Sequence, residues 1–385
     1  MNIAVVDISR KVPLYDYALC QSLYDNKSPD DTIWYVSPKG IKEPQKWEHN
    51  LKSLLPLFLK SKQNVVRRVL KGLEVFYNYY ELRRFINKKA IDILHLEWLP
   101  MLEVSEYEIQ VLKSIKKHKN IKIVLTVHNL YPHNYSEEEK ILYKRRFEKA
   151  CDYIDHFVVH TELSKKQLCF DYDLPTEKVS VIYHGIFESS VGNSSINKSD
   201  KYKIIMFGTQ SYYKGTDLLI KAYHSLSKDD KKNSCCVILG VTNPAFYKEV
   251  KELVEESNIH WTTSFVEESI LDNEISTSDL IVIPYRDITQ SGVLLKALSF
   301  NIPILASDLP AFKETLIGLS EDSFFRNGDV NDLSSSLHSY INHIIKVDDN
   351  MMQLKLLREL YSWDASAKKT LLLYNKLIKE ANKYS

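Results

Sequence analysis

None of the five cysteines in this 385-residue chain stands in a C-x-x-C pair. Cys235 and Cys236 are adjacent inside an apolar run, the setting of core residues, so neither a disulfide frame nor a zinc site is indicated and a reducing compartment fits. Net charge is also nearly missing: 51 Lys and Arg stand against 50 Asp and Glu, leaving +1, so no global field draws the chain to nucleic acid and any basic surface is local. No apolar run reaches the length of a membrane span, and the opening MNIAVVDIS reads as a strand, not as a signal peptide. Together these absences predict a cytoplasmic protein. No H-x-x-x-H falls on a helical stretch either, since His156 and His160 lie on a run that reads as a strand with His160 at its end, which argues against a metal site.

What is present is an alternation. The chain is longer than one core usually holds, so two domains are expected. Short apolar runs at 2–8, 33–36, 91–96, 121–127, 156–159 and 179–182 read as buried strands, with helical stretches between them. Residues 188–201, ESSVGNSSINKSDK, are polar, Ser/Asn-rich and without period, the composition of a linker. Strands then resume at 203–207, 235–239, 280–283 and 302–306, with a strand and loop at 261–266, and residues 363–383 read as a last long helix. This pattern predicts doubly wound parallel sheets.

Ligands of such sheets bind at the carboxyl ends of the strands. In residues 278–308 the buried run 280–283 ends at Pro284, and Thr289, Gln290, Ser291 and Gly292 lie before the next helix. Small hydroxyl residues and a glycine at a helix start offer free N–H groups to a phosphate, or Thr289 or Ser291 merely caps the helix. After the strand at 203–207 comes GTQSYYKG, from Gly208 to Gly215. It is not a Walker loop, because its lysine precedes the second glycine, but Lys214 can bring a positive charge to a phosphate gathered at Ser291. His128, His160 and His184 fall at strand carboxyl ends, and His133 follows shortly after the first of them. Residues 51–86 mix leucines and aromatics with eight lysines and arginines. Two readings stand for this stretch, a face for an anionic membrane or an amphipathic helix pair with a solvated basic face.

In their order, these motifs resemble a GT-B glycosyltransferase of family four. The segments that carry the likeness are Thr126-Val127-His128-Asn129 with Pro132-His133, Val159-His160-Thr161-Glu162, Ile182-Tyr183-His184-Gly185, Tyr212-Tyr213-Lys214-Gly215, the run from Pro284 through Thr289-Gln290-Ser291-Gly292, and Ser362-Trp363-Asp364. The likeness runs from about residue 91 to the end; the first ninety residues match only in pattern. It implies an α/β protein of two doubly wound Rossmann-like domains facing a cleft, an acceptor-binding domain at 1–190 and a nucleotide-sugar-binding domain at 200–362. The helix at 363–385 would cross back to the first domain.

The implied activity moves a hexose from a nucleotide-sugar donor to a saccharide or lipid-linked saccharide in cell-surface polysaccharide synthesis. The nucleotide-sugar is then a substrate, and no cofactor or metal is expected. Lys214, with Ser291 and the Gly292 N–H, would hold the diphosphate, where negative charge grows as the glycosidic bond breaks. Gly208, Ser211, Thr289 and Gln290 belong to the same loops. Phe265, Val266 and Glu267 would lie near the base, His184 and Gly185 would border the cleft, and His128 would approach the donor sugar. Glu97, His133 and His160 fall on the acceptor side. The enzyme would work in the cytoplasm, at the inner face of the membrane if residues 51–86 bind there.

The chain departs from the family pattern at three places. Where an acidic pair eight residues apart is usual it has Ile288 and Lys296, with Asp287 one step from the first position; Lys296 cannot accept a hydrogen bond from a ribose hydroxyl. Ser211 stands where an arginine is usual, and Arg286 is the candidate to replace that charge. Two alternatives follow, a catalytically silent binding partner and a nucleotide-sugar epimerase of the same fold; a phosphorylase is a further enzyme of this architecture. Asp171-Tyr172-Asp173 has the form of a metal–nucleotide D-x-D, but it precedes Pro175 in a polar stretch and reads as a loop.

Overall fold

The computed structural model describes the chain except for residues 40–44, 54–63, 118–120, 132–135, 188, 190–199, 256–257, 289–290 and 384–385. It divides into two compact units, 1–185 with 363–385, and 186–362. His133, Thr289, Gln290 and nearly all of the 188–201 stretch lie outside the described residues.

The first unit is built on seven parallel strands: β1 (Asn2–Val6), β2 (Thr32–Pro38), β3 (Glu48–Leu51), β4 (Ile93–Leu96), β5 (Lys122–Thr126), β6 (His156–Val159) and β7 (Val179–Val181). Their order is β3-β2-β1-β4-β5-β6-β7, with Ile3 opposite both Ile33 and Ile93. The strands are apolar on both sides because both sides are covered. Ala4, Val6, Leu94, Leu96, Ile123 and Leu125 belong to one core cluster, and Ile3, Val5, Ile93, Val124 and Val158 to the other, the period of two expected of a strand. The second cluster is closed by the helices Pro13–Asn26 and Trp363–Lys383, which bring Leu19 and Leu23 against Leu371 and Tyr374. Tyr374 is fully buried, and its hydroxyl lies 2.5 Å from His95 Nδ1.

The basic amphipathic stretch at 51–86 contains, among the described residues, part of one helix, Asn64–Lys89, of 26 residues. Its inner face buries Val75, Tyr79, Leu82, Phe85 and Ile86. Val69, Leu73, Phe76, Tyr77 and Tyr80 are exposed on its outer side, spaced as one helical stripe. β3 was not expected: EHNL carries no apolar run, since an edge strand needs only one neighbour.

The second unit has six parallel strands: β8 (Tyr202–Phe207), β9 (Ser234–Leu239), β10 (Ile259–Thr262), β11 (Leu280–Ile283), β12 (Ile304–Ser307) and β13 (Phe324–Phe325), ordered β10-β9-β8-β11-β12-β13. In both sheets the order reverses beside a strand that opens its unit, between β1 and β4 and between β8 and β11. Loops diverge at such a point and leave a crevice at the carboxyl edge. The GTQSYYKG loop follows β8 and the Pro284–Ser291 loop follows β11, and Ile204 of β8 pairs with Leu280 of β11. The two loops singled out in the sequence therefore leave adjacent strands at the reversal.

Tyr374→Ala is expected to destabilise the first unit by about 3–5 kcal/mol, the range for truncating a large buried aromatic, with His95 also losing a partner. Urea denaturation followed by tryptophan fluorescence measures it.

Candidate functional site

In the second unit the two loops are fastened to each other. The Arg286 N–H donates to the Tyr213 carbonyl (2.8 Å), and the guanidinium grips both Asp217 oxygens at 2.7 and 2.8 Å while lying over the Tyr212 ring at 3.9 Å. Burial, the largest single influence on Asp217, opposes its ionisation. The hydrogen bonds and charge of Arg286 and Lys221 outweigh burial and hold the carboxyl below its ordinary value. Arg286, the candidate for the charge usually found at Ser211, is therefore paired with Asp217. Gly215 completes the fastening. Its φ is +71°, and a Cβ there would fall 1.7 Å from the Pro284 carbonyl oxygen, so only glycine lets the loops approach this closely.

Lys214 is held half-buried by this arrangement. Among the described residues no carboxylate pairs with it; its Nζ lies 5.2 Å from the Tyr285 ring centroid. Burial pulls its amine below the ordinary lysine value. A side chain at Gly208 would meet Lys214 Nζ at 3.6 Å and Val293 Cγ2 at 2.8 Å, so the lysine and the start of the helix Gly292–Leu298 close on one point. Ser291 caps that helix, its hydroxyl accepting from Leu294 N at 3.1 Å, and it lies beside the Tyr285 hydroxyl. Gly292 and Asp287 are exposed. Ser211 Oγ, in the same loop as Lys214, is buried and has no hydrogen-bond partner among the described residues. Phe265, Val266 and Glu267 line a cavity of about 580 Å³ together with Val237 and Leu239 of β9, His260 and Thr262 of β10, and Ile270 and Glu274 of the helix Glu268–Ser276, and Phe265 is exposed.

In the first unit the expected residues form a buried relay. Glu97, just past β4, is fully buried. His128 Nε2 stands 3.0 Å from Glu97 Oε2, and His128 Nδ1 3.3 Å from His160 Nε2. His160 Nδ1 donates to the Ile182 carbonyl at 2.8 Å, which leaves its Nε2 as an acceptor, so His128 Nδ1 is the donor between the two rings. Both nitrogens of His128 are engaged; to reach a sugar, one of these bonds has to open. Burial works to raise the Glu97 carboxyl, but His95 and His128 prevail and lower it. Trp98 stacks on His128 (5.0 Å, 13°), and Tyr15 meets it edge-on at 4.8 Å. Trp98, His128 and Lys11 line a cavity of about 290 Å³ at the ends of β1, β4 and β5. Lys11 lies over the Trp98 ring at 4.2 Å and pairs with Glu103 at 3.1 Å.

His184 Nδ1 donates to the Gly185 carbonyl, 2.6 Å away, and its ring lies 5.3 Å from that of Trp363. A Cβ at Gly185 would fall 2.2 Å from the same indole, so this glycine is demanded by Trp363 packing. Asp171 and Tyr172, expected in a loop, form the end of the helix Glu162–Tyr172 with Asp173 as its left-handed cap, and Asp171 receives the Tyr131 hydroxyl at 2.9 Å, a structural role. Asp217, Tyr285, Tyr15 and Trp98 were not anticipated. Their partners are distant in sequence, and no local pattern marks them.

Two family models match the chain, Glycosyltransferase Family 4 over residues 43–189 and Glycosyl transferases group 1 over 192–351. GDP-mannose:glycolipid 4-beta-D-mannosyltransferase of Xanthomonas campestris pv. campestris is 27% identical over 191 residues, covering 48% of this chain and 49% of that protein. The O-antigen chain mannosyltransferase RfbU of Salmonella typhimurium is 21% identical over 248 residues, with coverages of 60% and 67%. The chain thus spans about half the length of the first of these relatives. Among solved structures, a glycosyltransferase from Rickettsia africae superposes with a TM-score of 0.69 at 17% identity, covering 98% of each chain, which shows a shared fold.

The histidines predict acid sensitivity. Burial, above all, brings His184 and His156 down to about 4, against 6.5 for an ordinary histidine. The unfolded chain therefore binds more protons than the folded one between these values, and stability is lost as pH falls from 6.5 towards 4. At pH 5 each ring costs on the order of 2 kcal/mol. Denaturation at pH 7 and pH 5 checks this, and His156→Asn is expected to flatten the dependence.

Proposed function

We propose that this chain, which belongs to the group 1 and family 4 glycosyltransferases, moves a hexosyl unit from a nucleotide-sugar donor to a saccharide carried on a lipid, in the synthesis of a cell-surface polysaccharide. The observation that carries the reading is Lys214: a half-buried amine, without a carboxylate among the described residues, at the strand-order reversal of the second unit. A desolvated cation is strained until it meets an anion, and the leaving nucleoside diphosphate is such an anion.

In this reading Lys214 and the Ser291 hydroxyl hold the diphosphate with the Gly292 N–H, Thr289 and Gln290. Gly208 keeps the approach open, Ser211 supplies its unpartnered hydroxyl, and Asp287 reaches a sugar hydroxyl from the exposed loop. Lys214 supplies the positive charge that the leaving group needs. The base rests against Phe265, Val266 and Glu267. Arg286 acts through Asp217 by fixing the loop and makes no contact with the donor. Glu97 and His160 lie on the acceptor side, with the cavity lined by Trp98, His128 and Lys11 as the acceptor's seat; His184 and Gly185 border the same edge of the first unit's sheet. The two relatives described above carry the name mannosyltransferase, which makes GDP-mannose the first donor to test.

The lipid part rests on the helix Asn64–Lys89. Its outer stripe of Val69, Leu73, Phe76, Tyr77 and Tyr80 is exposed, and the helix carries seven basic and two acidic residues. Aromatic and aliphatic groups flanked by positive charge suit an anionic bilayer surface, each basic residue near it contributing about 1 kcal/mol. Among the described residues no helix is long and apolar enough to cross a membrane.

Lys214→Ala is expected to weaken binding of nucleoside diphosphate by about tenfold to a hundredfold, the worth of one charge-assisted contact; calorimetry with GDP and UDP reads it, and unchanged affinity removes Lys214 from the site. Release of the nucleotide from GDP-mannose that depends on a lipid-linked saccharide supports transfer, whereas conversion of the donor with no acceptor present indicates an epimerase. In flotation, the protein should rise with vesicles containing phosphatidylglycerol and stay behind with neutral ones. Phe76→Glu with Tyr77→Glu should reduce that recovery, and equal recovery from both vesicle types contradicts the membrane assignment.

A further inference from the structure

Three charged side chains join two helices of the second unit, one of which begins where Lys214 approaches Val293. Lys296 lies on Gly292–Leu298, and Glu268 and Asp272 on Glu268–Ser276. Lys296 Nζ stands 2.6 Å from Asp272 Oδ1 and also pairs with Glu268. Asp272 is buried, so its charge has to be matched, and Lys296 matches it. Glu268 differs: its side chain is 75% exposed, so Lys296 holds a carboxylate that is fixed in place yet open to solvent.

The placement is specific. Glu268 and Asp272 are four residues apart and share a helix face, as do Gly292 and Lys296. Lys296 is therefore about one turn, roughly 5.4 Å, along the helix from Gly292. Glu268 directly follows the 265–267 loop. In a nucleotide the ribose links base to diphosphate. If the diphosphate lies at Lys214 and the base at Phe265–Glu267, the ribose falls where these three residues meet.

An ammonium cannot accept a hydrogen bond from a ribose hydroxyl, and both carboxylates around Lys296 already claim it; a carboxylate accepts readily. We propose that Glu268, oriented by Lys296, receives the ribose hydroxyls of the donor nucleotide, so that the acceptor for the ribose lies on the helix Glu268–Ser276 in place of Gly292–Leu298. The charge reversal at 296 then relocates a function instead of abolishing it. This inference rests on the donor-site reading above.

The plain structural role for Glu268 is an acidic residue in a first helical turn, favoured by the helix dipole. That role affects stability and leaves nucleotide discrimination untouched, which separates the two. Calorimetry with GDP and UDP, each beside its 2′-deoxy and 3′-deoxy counterparts, provides the test. The wild type should bind whichever ribonucleotide it prefers about tenfold tighter than the deoxy form, the worth of one charge-assisted hydrogen bond. Glu268→Ala should weaken the ribonucleotide to the level of its deoxy form, leave the deoxy form unchanged, and keep the melting temperature; Glu268→Gln should retain part of the preference. Lys296→Met should reduce the preference by freeing Glu268. Lys214→Ala should weaken ribo and deoxy forms equally. A preference that survives Glu268→Ala, or a wild type that binds both forms alike, overturns the inference while leaving the diphosphate site standing. Failure of the wild type to bind either nucleotide, or binding untouched by Lys214→Ala, overturns the donor site and this inference with it.

Discussion

The arrangement in the second unit depends on keeping one cation from neutralising itself. Asp217 lies three residues after Lys214 and is the nearest carboxylate in sequence. Both its oxygens are taken by Arg286, and Lys221 adds a third contact at 3.3 Å. The same guanidinium lies over Tyr212, and the Arg286 backbone is bonded to Tyr213. One arginine thus shapes the loop and removes the competing anion. Glycine at 215 allows the loop to press on Pro284, and Tyr285 forms an apolar floor beneath the amine. Each feature raises the cost of leaving Lys214 unpaired and so raises the reward for an incoming diphosphate.

The first unit solves the opposite problem. There a carboxylate, Glu97, is buried completely, and histidines hold it charged. His95 is in turn fixed by the Thr126 hydroxyl at 2.7 Å and by Tyr374, so the C-terminal helix reaches into the polar layer under the sheet edge as well as covering apolar surface. Within it, Glu97 Oε2 and the Trp98 ring hold His128 in one orientation. The neighbouring cavity mixes aromatic and aliphatic walls, such as Trp98, Phe147 and Leu125, with polar groups such as Lys11, Glu103 and Asn129.

Much of the fold was legible in the sequence because the strands are parallel and covered on both faces, which makes them continuous apolar runs. The exceptions prove the same physics. β3 reads EHNL and β13 is two residues long; both are edges, and neither needs an apolar run. Lys214 and Ser291 could be picked out because small, polar and glycine-rich loops after buried strands are where ligands bind. The grip of Arg286 on Asp217 could not, since 69 residues separate the partners. Nor could the neutralisation of Lys296 by Asp272 and Glu268, which depends on how two short helices lie together. Gly185 stood out as a motif residue, but its requirement comes from an indole 178 positions later in the chain.

The most direct test of the central claim is the titration of the Lys214 ε-amine itself. Lysine labelled with carbon-13 at the ε position, assigned by comparison with Lys214→Arg, gives its midpoint by NMR. Without nucleotide the midpoint should lie below that of an ordinary lysine, because the amine is partly desolvated. Saturating GDP or UDP should raise it, because a nearby diphosphate favours the charged form. A midpoint that does not move when nucleotide is bound would contradict the account.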